Sequence, residues 1–177
     1  SGSWSQFGAD IIGEAAGDFS AYSVSMNSAG DRVAIGSYNN DGAATNAGHV
    51  RIYQYASGSW SQLGSDIDGE AEYNYSGVSV SMNAAGDRVA IGAYENGETG
   101  DDAGHVRIYE YASGSWSQLG SDIDAEAASD FFGVSVSINS AGDRVAIGAH
   151  QNDGSADRAG HVRIYEYVSG SWSQLGS

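Results

Sequence analysis

A 56-residue unit recurs three times in this chain, and it limits the possible folds more than any other feature. Trp4, Trp60, Trp116 and Trp172 stand 56 positions apart, and residues 1–56, 57–112 and 113–168 agree in 32 of 56 columns. Residues 169–177 form a partial fourth repeat that repeats the opening, SGSWSQLGS against SGSWSQFGA. A unit copied this closely is one supersecondary module that buries its faces against its neighbours. Residues 1–177 are therefore read as one repeat segment and not as separate domains.

The middle copy shows the local pattern. Gly77–Met82 alternates apolar and small polar residues, the period-2 mark of a strand. Asn83-Ala84-Ala85-Gly86 supplies a turn, and Arg88–Ala93 completes a hairpin. After a polar loop, His105–Tyr111 reads as a third strand, with Val106 and Ile108 on one face and His105, Arg107, Tyr109 and Tyr111 on the other. Ser113-Gly114 turns the chain into a fourth, Ser115–Gly120, and a linker rich in acids and Ala follows. No segment has helical spacing over a useful length. Four antiparallel strands at a fixed period above 40 residues predict an all-β chain of three β-propeller blades. A β-solenoid is the weaker alternative, because its coils are usually shorter and lack two hairpins per repeat.

Composition narrows the chemistry. Cys and Pro are absent, so disulfides and sulfur-bound zinc are excluded. No apolar run approaches the ~20 residues of a membrane helix, so no membrane insertion is expected. With no initiator Met and no signal peptide, the chain reads as a mature product or an excerpt of a longer one. The net charge is −16, from 23 acidic residues against seven Arg and no Lys. Such a surface repels phosphate backbones and argues against nucleic-acid binding.

The third copy carries a family resemblance. Phe132-Gly133-Val134-Ser135-Val136-Ser137, Arg144-Val145-Ala146-Ile147-Gly148-Ala149 and Gly160-His161-Val162-Arg163-Ile164-Tyr165 resemble the FG-GAP repeat of integrin α-subunit propellers. The chain is especially similar to tandem W-x-Q-L-G-x-D-I-x-G-E-A variants of large secreted microbial and algal proteins. That resemblance implies a propeller, an extracellular or cell-surface setting, and adhesion or ligand binding without catalysis. Two departures qualify it. Tyr38, Tyr94 and His150 replace the family's proline, and the first turns (Asn27–Asp31, Asn83–Asp87, Asn139–Asp143) offer too few oxygens for the 6–8 that calcium prefers.

The candidate site residues fall in two groups. The stretches 37–46, 93–102 and 149–158 are the most divergent between copies, and loops on a rigid scaffold often carry recognition. Tyr38, Asn40, Asp41, Tyr94, Asn96, His150, Asn152 and Asp153 are the ligand candidates there, for carbohydrate, a cell-surface protein or a cation. The linker carboxylates Asp66, Asp68, Glu70, Asp122, Asp124 and Glu126 form a weak calcium alternative, with turn capping as the simpler reading. No other cofactor is expected. His49, His105 and His161 open each third strand; they are expected to brace it by hydrogen bonding to Asp31, Asp87 or Asp143. The tryptophans are expected to pack between blades. Asn74-Tyr75-Ser76 is the only N-glycosylation sequon.

Without a phosphate loop, a nucleophile elbow or a metalloprotease motif, the chain is expected not to be an enzyme. Three blades do not close a ring, since known propellers use about four to eight or more. The arc is expected to be completed by other copies, six blades from two chains or nine from three, or by a longer array. Residues 1–8 and 170–176 suit the same seat beside a third strand. The functional expectation is an extracellular structural or adhesion module assembling through blade faces and terminal strands. A lectin-like propeller using the loops between second and third strands is the alternative.

Overall fold

The computed structural model describes residues 2–176. Three antiparallel sheets follow one another along the chain, and each takes its first three strands from one copy of the repeat and its fourth from the start of the next. The first contains β1 (Ser23–Met26), β2 (Arg32–Ser37), β3 (His49–Ala56) and β4 (Ser59–Gln62). Its third strand also pairs with the two-residue β5 (Ile67–Asp68). The second repeats this arrangement with β6 (Ser79–Met82), β7 (Arg88–Ala93), β8 (His105–Ala112), β9 (Ser115–Gln118) and β10 (Ile123–Asp124). The third contains β11 (Phe132–Ile138), β12 (Arg144–Ala149), β13 (His161–Val168) and β14 (Ser171–Gln174). Among the described residues no helix is long and apolar enough to cross a membrane.

Each hairpin is pinned by its own turn. The Asn83 Oδ1 accepts from the backbone N–H groups of Asp87 and Arg88, and its Nδ2 donates to Asp87 Oδ1 at 2.8 Å. Gly86 takes the left-handed φ of 73° that the turn requires. The register then runs from Met82 opposite Val89 to Ser79 opposite Gly92. In β8 Val106 and Ile108 lie in the core, and on the opposite face His105 and Arg107 are buried too, while Tyr109 and Tyr111 are half-buried.

The core lies between sheets. Ala34, Val50, Ile52 and Ile67 of the first sheet pack with Val80, Met82, Val89 and Ile91 of the second. Ala90, Val106, Ile108 and Ile123 pack in the same way with Phe132, Ile138, Val145 and Ile147. Polar contacts repeat at each junction. Ser23 Oγ donates to Gly77 O and Ser79 Oγ to Gly133 O, both at 2.7 Å. Trp116 Nε1 donates to Leu63 O at 2.8 Å, and Trp172 Nε1 to Leu119 O at 2.7 Å. The tryptophans thus tie each fourth strand to the end of the preceding one.

Two strand assignments need correction. The linker is not featureless, because its first residues add β5 and β10 to the preceding third strand. Residues 3–7 form no strand, although they match β4 in sequence. Each fourth strand pairs with the third strand of the preceding copy, as β4 does with β3 and β9 with β8. The segment instead rests on the first sheet: the Phe7 ring lies 3.9 Å from Tyr55, and Phe7 O accepts from Trp60 Nε1 at 2.9 Å.

Candidate functional site

The divergent loops stand at one end of the sheets, and the first two grip the linker that follows them. Tyr73, Tyr75 and Ser76 N–H groups donate to the carbonyls of Thr45, Asn46 and Ala47. In the next copy, Ser129, Phe131 and Phe132 donate to Asp101, Asp102 and Ala103. Asn40, Asn96 and Asn152 occupy the one invariant column of these loops, and all three are buried. Asn40 Nδ2 donates to Asp18 Oδ2 at 2.9 Å, and Asn152 Nδ2 to Asp130 Oδ2 at 3.0 Å. Their Oδ1 atoms accept from the Gly42 and Gly154 N–H groups, and that of Asn96 from Glu98 N–H. Asp41 and Asp153 accept from the backbone of Asn46 and Arg158. These side chains hold the loops in shape. The sequon residue Asn74 is buried as well, with its Oδ1 on Ala71 N–H.

Tyr38, Tyr94 and His150 are arranged differently. They alternate with the linker residues Phe19, Tyr75 and Phe131 in one file, Phe19–Tyr38–Tyr75–Tyr94–Phe131–His150. Successive ring centroids lie 5.6–5.9 Å apart. Phe19, Tyr75 and Phe131 reach it from left-handed backbone at φ 49°, 52° and 53°, a region that non-glycine residues seldom occupy. Burial and a hydrogen bond to Glu95 push the Tyr94 hydroxyl pKa above its ordinary value. The file crosses all three copies, so no single repeat reveals it.

The linker carboxylates do not gather by sequence neighbourhood. Asp66 and Glu70 face different junctions. Glu14 and Asp66, from successive linkers, converge on His49, and Glu70, Asp122 and Glu98 converge on His105. The His49 Nδ1 lies 3.6 Å from Asp66 Oδ2, and His105 Nδ1 lies 3.4 Å from Asp122 Oδ2. The histidines therefore face the linker aspartates and not Asp31 or Asp87, which their Asn27 and Asn83 neighbours already engage. Burial lowers the His105 pKa to about 4, helped by the Arg107 charge and opposed by Asp122, so its ring is neutral at pH 7. Burial likewise lowers His49. Asp68 and Asp124 lie at the strand edge, where burial and then the adjoining Asp66 or Asp122 raise their carboxyl pKa. Glu70 pairs with Arg107 at 2.9 Å, and Glu126 with Arg163. Arg51 and Arg107 also sit 5.7 Å from the ring centroids of Tyr53 and Tyr109.

Beside the His105 group opens a cleft of about 780 Å³, lined by Glu70, Glu72, Glu95, Glu98, Asp101 and Asp102 among others, with no basic residue. Its chemistry suits cations. Sequence reasoning left these groups apart because it treated each copy as closed. The signal that joins them is the shared 56-residue period of His, Asp and Glu, read across two consecutive linkers.

No family model matches the chain, and no curated protein matches it in sequence. Solved structures do. A putative 6-phosphogluconolactonase from Bacteroides fragilis is 13% identical at a TM-score of 0.58, covering 86% of this chain and 36% of that one. A second, from Bacteroides uniformis, is 9% identical at a TM-score of 0.58, covering 87% and 39%. Sqt1 of Saccharomyces cerevisiae is 15% identical at 0.53, covering 89% and 35%. The chain thus spans little more than a third of the length of these neighbours. The likeness establishes an all-β, propeller-like fold. It also corrects the expectation that the chain is not an enzyme. Two of the neighbours carry an enzyme's name on this fold, so neither the fold nor the want of a familiar motif argues against catalysis.

Proposed function

We propose that the chain is a self-assembling repeat module whose two open sheet faces dock head to tail on further copies of itself, completing a propeller ring. One observation carries this reading. Val24 and Met26 of β1 are 61% and 54% exposed, whereas Val80 and Met82, their counterparts in β6, are 9% and 7% exposed against the first sheet. At the other end Val162 and Ile164 of β13 are 68% and 46% exposed, whereas Val106 and Ile108 are fully buried. Each open face therefore has the side chains of one half of an existing interface, and the two halves are complementary. Exposed apolar faces of this kind mark interaction surfaces, and a heterologous contact of this type closes a ring when its rotation permits. Two copies make six blades, within the four to eight of known propellers.

Analytical ultracentrifugation tests this. The expected species has twice the 18.3 kDa chain mass, and Met26→Glu reduces it to single chains. A wild-type chain that stays monomeric at high micromolar concentration overturns the reading.

A second reading rests on the aromatic file. Repeated left-handed backbone at Phe19, Tyr75 and Phe131 marks a feature held against local strain, as binding surfaces often are. Sugar rings stack on such faces. Glycan-array binding that is lost in Tyr94→Ala supports a lectin-like rim, and the absence of any array signal removes it.

A further inference from the structure

We propose that Glu70, Glu98, His105 and Asp122 form a binding site for a divalent transition-metal ion of the zinc class, beside the acidic cleft with which they share Glu70 and Glu98. Their donor atoms lie within 4.8 Å of one another. Carboxylates alone would not make a site; the second observation is the imidazole. His105 is only 1% exposed, yet both of its ring nitrogens lack a hydrogen-bond partner among the described residues. A buried polar group left unpaired calls for an explanation, and a site for an ion is a standard one.

The geometry fits. A tetrahedral zinc with bonds of about 2.0–2.1 Å places neighbouring donors about 3.3–3.4 Å apart, and His105 Nδ1 already lies 3.4 Å from Asp122 Oδ2. Glu70 and Glu98 are exposed, so their side chains are free to close the remaining distance. Arg107 occupies Oε1 of Glu70 at 2.9 Å and leaves Oε2 for the ion. Three carboxylates less one guanidinium leave a local charge of −2, which a dication neutralises. An imidazole among the donors selects zinc, cobalt or nickel over calcium, which prefers oxygen alone. The first sheet holds a lesser copy, Glu14, His49 and Asp66, where Gly42 stands in the column of Glu98 and one donor is missing.

The test uses the whole chain, stripped with chelator and titrated with Zn2+ by calorimetry and with Co2+ by visible absorption. We expect one tight site, a melting temperature raised by zinc and unaffected by Ca2+, and a cobalt spectrum of four-coordinate nitrogen and oxygen donors. Glu98→Gln and Asp122→Asn are expected to weaken zinc by roughly tenfold or more. Because Glu98 is exposed, its variant keeps the melting temperature of the stripped protein. Absence of a zinc-dependent shift, or equal affinity in wild type and both variants, overturns the proposal.

Discussion

Gly92 and Gly133 meet so closely across the second junction that a Cβ on Gly92 would lie 2.0 Å from the Gly133 carbonyl oxygen. Gly36 stands in the same relation to Gly77 at the first junction. Gly148 holds the matching position in the third sheet, but its Cβ would meet only Ser135, with Oγ at 2.4 Å. The three glycines are one column of the repeat; only the first two have a neighbouring sheet.

Gly92→Ala is therefore expected to cost about 3 kcal/mol, the upper part of the usual range for overpacking, because backbone must move. Gly148→Ala displaces a serine hydroxyl that is free to rotate, and it should fold with near-normal stability at concentrations where the chain is monomeric. In head-to-tail assembly it should behave like Gly92→Ala and lose the dimer. Urea unfolding and sedimentation of the two variants separate these outcomes. Equal assembly of Gly148→Ala and wild type would rule out the proposed docking.

Ala21 departs from that pattern in an informative way. Gly77 and Gly133 have φ of 88° and 90°, whereas Ala21 takes φ 67° with a side chain in place. A Cβ on Gly77 would lie 2.7 Å from His49 O, so Ala21 obliges its own junction to open by a few tenths of an ångström. Ala21→Gly should tighten assembly, read as a lower dissociation constant. It should also stabilise the isolated chain by about 1 kcal/mol or less, as left-handed strain is exchanged for greater freedom of the unfolded backbone.

Phe7 competes for a seat that an assembled copy needs. At the inner junctions Leu63 and Leu119 present the carbonyls that Trp116 and Trp172 bind, and at the first sheet Phe7 does so for Trp60. In a ring, Leu175 of one copy takes the place that Phe7 holds in the next. Deleting residues 1–8 should shift the monomer–dimer equilibrium towards the dimer in concentration-dependent sedimentation. A weaker dimer would mean that this segment supports docking.

The strands and turns were readable because they depend on neighbours within one copy: alternation in Ser79–Met82 and turn chemistry in Asn83–Asp87. The packing role of Trp116 was readable from its fixed company with Leu119. What lay hidden depends on residues 17 to 37 positions apart that meet across junctions. His105 meets Asp122 and Glu70 from two linkers, and Tyr75 stacks between Tyr38 and Tyr94 of two sheets. The burial of Asn40, Asn96 and Asn152 had a signal, an unvarying column inside a varying loop. Loop polarity suggested solvent contact and obscured it.

The loop anchor gives a last test that separates architecture from recognition. Asp130 is buried and accepts from Asn152 Nδ2 at 3.0 Å and from Ala127 N–H at 3.3 Å. Asn152→Ala leaves that carboxylate with a single donor and should destabilise the protein by about 1–3 kcal/mol, the usual result of stranding a buried polar group. Asp130→Asn should be far milder, because the middle copy carries Asn74 in this column and uses it for the same bond to Ala71 N–H. The pair should be coupled in a double-mutant cycle, with the combined loss smaller than the sum of the separate losses to alanine. If Asn152→Ala instead leaves urea stability unchanged and alters only ligand binding, Asn152 belongs to a recognition surface and not to the frame of its loop.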